Sequence, residues 1–199
     1  MADRHRGTLA TLPNLLGLGR IMATPVIMVL LLADWPGSSL AGGILFVVAA
    51  LSDFLDGWIA RARNQVSPLG VFMDLAADKV LVAGVLIAMV EIGLVPTWMA
   101  ATILIREFVV QAVRQLAAVE DVVISARALG KAKTLATLAG LALLFLASDA
   151  ATGGPMRVLL DAGALAAAGF WVMVVATALT VVSGLAYLRG AWPILVGGQ

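Results

Sequence analysis

The chain has 199 residues, 62% of them hydrophobic and only 13% charged, with a formal net charge of +1. A mean hydropathy of +1.04 excludes an ordinary soluble domain and reads as a polytopic helical membrane protein. With no cysteine and a single histidine, His5, disulfides, thiolate catalysis, Cys-ligated zinc and His-based triads are excluded or disfavoured.

The first twelve or so residues are short, polar and basic, with Arg4, His5 and Arg6, and are expected to form an interfacial segment. A signal peptide fits poorly, because Arg20 interrupts the apolar stretch and no small-x-small cleavage site follows it. Thr11 and Pro13 mark a helix start, and the first span is expected over about 14–33, with Asn14 and Arg20 near its entry and Pro25 inside it. Asp34 to Ser39 is a turn, with Trp35 a candidate interfacial anchor. Further spans are expected over about 40–62, 69–92, 97–118 and 130–148, with the last within about 158–188 and a short tail from Arg189. The whole chain is then a single all-α domain of six transmembrane helices.

Six spans place both termini on one side. Arg4, Arg6, Arg61, Arg63, Arg114, Arg127, Lys131, Lys133 and Arg189 fall at that end, and only Arg157 at the other. The positive-inside rule makes the basic end cytoplasmic. Charge inside the spans is concentrated near the same end of the second to fifth helices, which argues for a polar cavity there, because intramembrane charge is costly.

The stretch from Asp53 to Asp78 organises the chain. Asp53 and Asp56 are three residues apart and Asp74 and Asp78 four apart, so each pair shares a helix face. A polar break from Arg61 to Pro68 suggests two antiparallel helices whose carboxylates face each other. Four converging carboxylates need cations to stay ionised, and an all-carboxylate set selects hard divalent ions such as Mg²⁺, Mn²⁺ or Ca²⁺. The plain alternative is structural ion pairing with Arg61, Lys79 and Arg106.

Written out, the run is D-x-x-D-G-x-x-A-R, eight residues, then G-x-x-x-D-x-x-x-D, filled by Asp53, Asp56, Gly57, Ala60, Arg61, Gly70, Asp74 and Asp78. It resembles the signature of the CDP-alcohol phosphotransferases. The resemblance implies that Asp53, Asp56 and Asp74 are ligands of two divalent ions, Mg²⁺ or Mn²⁺. It makes Asp78 the base that deprotonates the attacking alcohol, with possible metal contact of its own. Asp56, Gly57, Ala60, Arg61 and Gly70 would meet the nucleotide, the small residues by leaving room for it and Arg61 by reaching a phosphate. A homodimer in a bacterial inner or plasma membrane, with the site and both termini cytoplasmic, is likewise implied. No nucleic-acid partner is expected.

Three further pieces resemble the branch of the family that uses sn-glycerol 3-phosphate as acceptor. These are Pro13-Asn14 with Arg20 and Pro25, Ile105-Arg106-Glu107-Phe108 with Arg114, and Gly130-Lys131-Ala132-Lys133-Thr134. Gly17 stands where that branch often has Thr. Arg106, Arg114, Lys131 and Lys133 are the expected contacts of the acceptor's phosphate. Asn14 and Arg20 are either nucleotide or lipid-phosphate contacts or interfacial anchors. Lys131 and Lys133 fit topology equally in kind, and Glu107 reads as a structural salt-bridge partner. The expected reaction moves the phosphatidyl group of CDP-diacylglycerol to glycerol 3-phosphate. Inositol phosphate or phosphatidylglycerol remain alternative acceptors. A cation transporter is the alternative outside the family, although the outer halves of the spans lack polar residues to continue a path.

Overall fold

A computed structural model of the chain describes residues 12–62, 68–119 and 127–196, with side chains over 15–52, 75–119 and 129–193. Six long helices follow one another: α1 (Leu12–Leu32), α2 (Ser38–Ala62), α3 (Pro68–Glu91), α4 (Thr97–Val119), α5 (Arg127–Ala151) and α6 (Ala162–Val196). A single 3₁₀ turn (Pro155–Val158) precedes α6, and no strand occurs among the described residues. The N-terminal basic segment, residues 63–67 of the expected polar break and residues 120–126 lie outside the described residues.

Among the described residues, three helices are long and apolar enough to cross a membrane, over Leu15–Leu32, Leu129–Ala151 and Ala162–Pro193. The other three have charge set into their apolar runs. α2 is apolar over Ser38–Ser52 before it reaches its aspartates, α3 holds Asp74, Asp78 and Lys79, and α4 holds Arg106, Glu107 and Arg114. All six exceed 20 residues, and at about 1.5 Å per residue each reaches the roughly 30 Å of a hydrocarbon core. Large apolar side chains are also turned outward on every helix, among them Val29, Ile44, Ile87, Phe108, Leu135 and Trp171. A bundle apolar both inside and outside is a membrane protein.

The bundle is held by one continuous core in which Ile27, Phe46, Leu86, Met89, Met99, Leu144 and Met173 are essentially inaccessible. α1 packs on α2 and α3, α5 on α6 and α2, and α4 on α6. Small residues set the closest seams. A Cβ on Gly84 of α3 would lie 3.0 Å from Met28 Sδ on α1, and one on Gly140 of α5 would lie 2.8 Å from Met173 Sδ on α6.

Three turns close the end opposite the aspartates, and each contains a glycine with φ near +80°: Gly37, Gly93 and Gly153. At α3 the geometry is a Schellman stop, with Gly93 N donating to Val90 O at 3.0 Å and Leu94 N to Met89 O at 2.9 Å. Asp149 ties this end together. It is fully buried, and its carboxylate accepts from Leu40 N at the start of α2 (3.3 Å) and from Met156 N in the 3₁₀ turn (3.0 Å). Beside it the Ser39 and Ser148 hydroxyls share a hydrogen bond of 2.8 Å. Asp149→Ala strands both amides, so it is expected to lower stability by about 2–3 kcal/mol. This would be read as a lower thermal midpoint in detergent; an unchanged midpoint would show that water replaces the carboxylate.

The last helix differs most from the sequence expectation. It begins at Ala162 because Asp161 caps it, its Oδ1 accepting from Ala164 N at 2.7 Å. It runs through Arg189 to Val196, because Pro193 removes only one backbone bond close to the helix end.

Candidate functional site

Helix periodicity lines up the polar residues of three helices at the aspartate end. On α3, Leu75, Asp78, Lys79 and Val82 follow the i, i+3, i+4, i+7 pattern; on α4, Glu107, Gln111 and Arg114 do the same; on α5, Gly130, Lys133, Thr134 and Thr137 do so. The stripes converge on a cleft of about 670 Å³ whose wall includes Asp78, Arg106, Gln111, Arg114, Lys131 and Lys133. That volume lies within the roughly 300–1,000 Å³ of small-molecule sites. A recess of about 30 Å³ shares Asp78, Glu107 and Lys133 with the cleft and is also lined by Val82, Ile103, Leu104 and Phe108.

Glu107 is the node of the cleft. Its Oε2 accepts from Lys79 Nζ at 3.0 Å, and its Oε1 accepts from Arg106 Nη1 at 3.1 Å and also from Lys133 Nζ. One carboxylate thus gathers cations from α3, α4 and α5, all with side chains less than one-fifth exposed. Charge-assisted bonds of this kind are about twice as strong as neutral ones. Lys133, expected from the sequence as a phosphate contact, is therefore already paired, and the salt-bridge reading of Glu107 describes what is found. Lys131 is exposed on the rim.

Arg114 pairs with no carboxylate among the described residues. Its Nη2 donates to Tyr187 Oη on α6, while Arg106 Nη2 donates to Ser183 Oγ at 2.8 Å. Asp78 makes no hydrogen bond or ion pair among the described residues, although it lines the cleft and lies within electrostatic reach of Lys79, Lys133, Glu107 and Arg20. Arg20 is 3% exposed, so it faces the bundle interior rather than water.

Asp53, Asp56, Gly57, Ala60 and Arg61 lie on the last turns of α2, and Gly70 and Asp74 on the first turns of α3. The side chains of these seven and of Asn14 lie outside the described residues. No group of three or more metal-ligating side chains stands together among the described residues. Gln111, Ser183 and Tyr187 were not singled out by the sequence reading. The available signal was Tyr187, the one tyrosine of the chain, with a serine one turn before it in a predominantly apolar helix.

A family model described as CDP-alcohol phosphatidyltransferase matches residues 10–182. The chain belongs to that family. Within it, the chain is 37% identical over 196 residues to a Bacillus subtilis protein named CDP-diacylglycerol–glycerol-3-phosphate 3-phosphatidyltransferase, covering 92% of this chain and 96% of that one. A Rickettsia bellii protein of the same name is 34% identical over 178 residues, covering 89% and 93%. A rice protein named cardiolipin synthase (CMP-forming) is 32% identical over 202 residues, covering 94% of this chain and 59% of its own length. The Asp53–Asp78 run lies on α2 and α3, at the same end of the bundle as the cationic cleft.

Proposed function

We propose that the chain transfers the phosphatidyl group of CDP-diacylglycerol to sn-glycerol 3-phosphate, giving phosphatidylglycerophosphate and CMP. All six helices cross a bacterial inner or plasma membrane, the cleft opens to the cytoplasm, and the protein works as a homodimer. The observation that carries this reading is the cleft itself. Asp78, a carboxylate with no hydrogen-bond or ion-pair partner among the described residues, shares it with Arg106, Arg114, Lys131 and Lys133, a set suited to a hydroxyl-bearing phosphate monoester. The names of the bacterial relatives agree with that acceptor.

The donor set fits a divalent-metal enzyme. Asp53, Asp56 and Asp74 would hold Mg²⁺ or Mn²⁺ together with Asp78, all hard oxygen donors. Two such ions, when bound, neutralise charge on the pyrophosphate. The chain's own residues do the rest. Gly57, Ala60 and Gly70 would leave space for the nucleotide along α2 and α3, and Arg61 would reach a phosphate, with Asn14 and Arg20 on α1 as candidate contacts of the nucleotide or lipid phosphate. The cations of α4 and α5 hold the acceptor's phosphate, which points its free hydroxyl at Asp78. Asp78 takes the hydroxyl proton, the freed oxygen bonds to the β-phosphorus, the bond from that phosphorus to the bridging oxygen breaks, and CMP leaves.

The test is CMP release by purified protein with CDP-diacylglycerol and Mg²⁺, offered glycerol 3-phosphate, inositol phosphate or phosphatidylglycerol in turn. Release with glycerol 3-phosphate alone is expected. Release with phosphatidylglycerol alone would align the chain with the activity that the rice relative is named for. Lys133→Ala is expected to raise the acceptor KM roughly 10-fold or more, as loss of a charge-assisted contact should, with the CDP-lipid KM nearly unchanged. A change confined to the CDP-lipid KM would put the phosphate pocket elsewhere.

A further inference from the structure

The wall of the cleft comes from α3, α4 and α5, yet two of its arginines are held from behind by α6. Tyr187 is 2% exposed, and the guanidinium carbons of Arg114 and Arg106 stand 4.9 and 5.7 Å from its ring centroid. Its hydroxyl accepts from Arg114 Nη2. One turn earlier, the fully buried Ser183 accepts from Arg106 Nη2 at 2.8 Å and donates its own proton to Thr180 O at 3.1 Å. Between them a Cβ on Gly184 would meet Arg106 Cγ at 2.9 Å. The arginine stem therefore lies directly on the α6 backbone, an approach that a side chain would block.

Arg106 and Arg114 are eight residues apart on α4, a rise of about 12 Å with roughly 80° between their directions. Left to themselves, two long, like-charged side chains at that spacing would diverge into water. Here both guanidinium groups converge on one aromatic ring, which accepts planar cations on its electron-rich face. Arg106 is further balanced by Glu107, whereas among the described residues Arg114 has Tyr187 and no carboxylate. The outcome is two cations presented on one wall of the cleft, both held against the same ring.

Granted that the cleft is the acceptor-phosphate pocket, we propose that Ser183, Gly184 and Tyr187 form a platform that pre-sets Arg106 and Arg114 for the charged oxygens of a phosphate monoester. The platform makes α6 a determinant of the preference for a dianionic acceptor. Ser183 and Tyr187 are positioning residues. They lie behind the arginines, outside the cleft wall, and act by removing the arginines' freedom before the acceptor arrives.

The experiment is steady-state kinetics on the full-length protein in mixed micelles, with glycerol 3-phosphate and CDP-diacylglycerol varied separately. Tyr187→Phe, Tyr187→Leu, Ser183→Ala, Gly184→Ala and Arg114→Ala are compared with the parent. Tyr187→Phe keeps the ring and loses one hydrogen bond to a charged group, so the acceptor KM is expected to rise about 5–10-fold. Tyr187→Leu is expected to exceed it, and kcat and the CDP-lipid KM should stay within about 2-fold of the parent for both. Ser183→Ala and Gly184→Ala should move the same parameter through Arg106. If Arg114→Ala raises the acceptor KM while Tyr187→Phe and Ser183→Ala leave it unchanged, the platform is overturned and the pocket stands. If Arg114→Ala leaves it unchanged, the pocket is misplaced and the platform falls with it. A parallel fall in kcat and in affinity for both substrates would show a merely structural role and would also overturn the proposal.

Discussion

Asp78→Asn is expected to reduce turnover by about 10²–10⁴-fold, the usual contribution of a positioned base, while CDP-diacylglycerol still binds. The fall corresponds to about 2.7–5.4 kcal/mol of lost transition-state stabilisation. Asparagine keeps the size of the side chain and an acceptor oxygen but cannot take the hydroxyl proton. The expectation rests on the position of Asp78: it faces the cleft and has no hydrogen-bond or ion-pair partner among the described residues. A carboxylate already committed to a lysine would be a poor base, because its charge would be held by that partner. Glu107 is such a carboxylate, with three cations on it, and so is not the expected base. A Mg²⁺ titration separates the two roles open to Asp78. If the base role dominates, the variant's half-saturating Mg²⁺ concentration stays close to the parent's. Asp53→Asn should instead weaken Mg²⁺ and nucleotide binding together. An Asp78→Asn enzyme that retains more than about a tenth of parent turnover would remove it as the base, since even the low end of the expected range lies below that.

Much of this architecture is written in local sequence. Apolar runs interrupted by short polar stretches such as Asp34–Ser39 marked the helices and turns, because helix ends are signalled by residues adjacent in sequence. The turn glycines are required by positive φ at Gly37, Gly93 and Gly153. The aspartate motif was legible for the same reason, since residues three or four apart on one helix share a face whatever packs against it. What sequence could not supply was pairing between helices. Glu107 meets Lys79 and Lys133 at separations of 28 and 26 residues, and Arg114 meets Tyr187 at a separation of 73. These partners follow from how α3, α4, α5 and α6 are rotated about their axes, which no local spacing encodes. The same limit applies to Asp149, whose carboxylate joins the start of α2 to the 3₁₀ turn.

Removing Glu107 should have the largest effect on stability. Glu107→Ala leaves Lys79, Arg106 and Lys133 without their shared anion, in a region where none of the four side chains is more than one-fifth exposed. Breaking a buried ion pair from one side typically costs about 3–5 kcal/mol, because the surviving charge stays desolvated. Two features soften the loss: the cleft admits water, and Arg106 keeps Ser183 as a partner. The lower part of that range is therefore expected, read as a fall in the thermal midpoint of the purified protein. A second consequence separates a structural cluster from a ligand pocket. With Glu107 gone, a phosphate monoester entering the cleft becomes the best available anion for the same three cations. Glycerol 3-phosphate should then raise the variant's midpoint by more than it raises the parent's, because stabilisation by a ligand grows with its affinity for the folded state. If instead it shifts both proteins equally, the cations around Glu107 belong to the scaffold, and the acceptor's phosphate must be held by Arg114 and Lys131 nearer the mouth of the cleft.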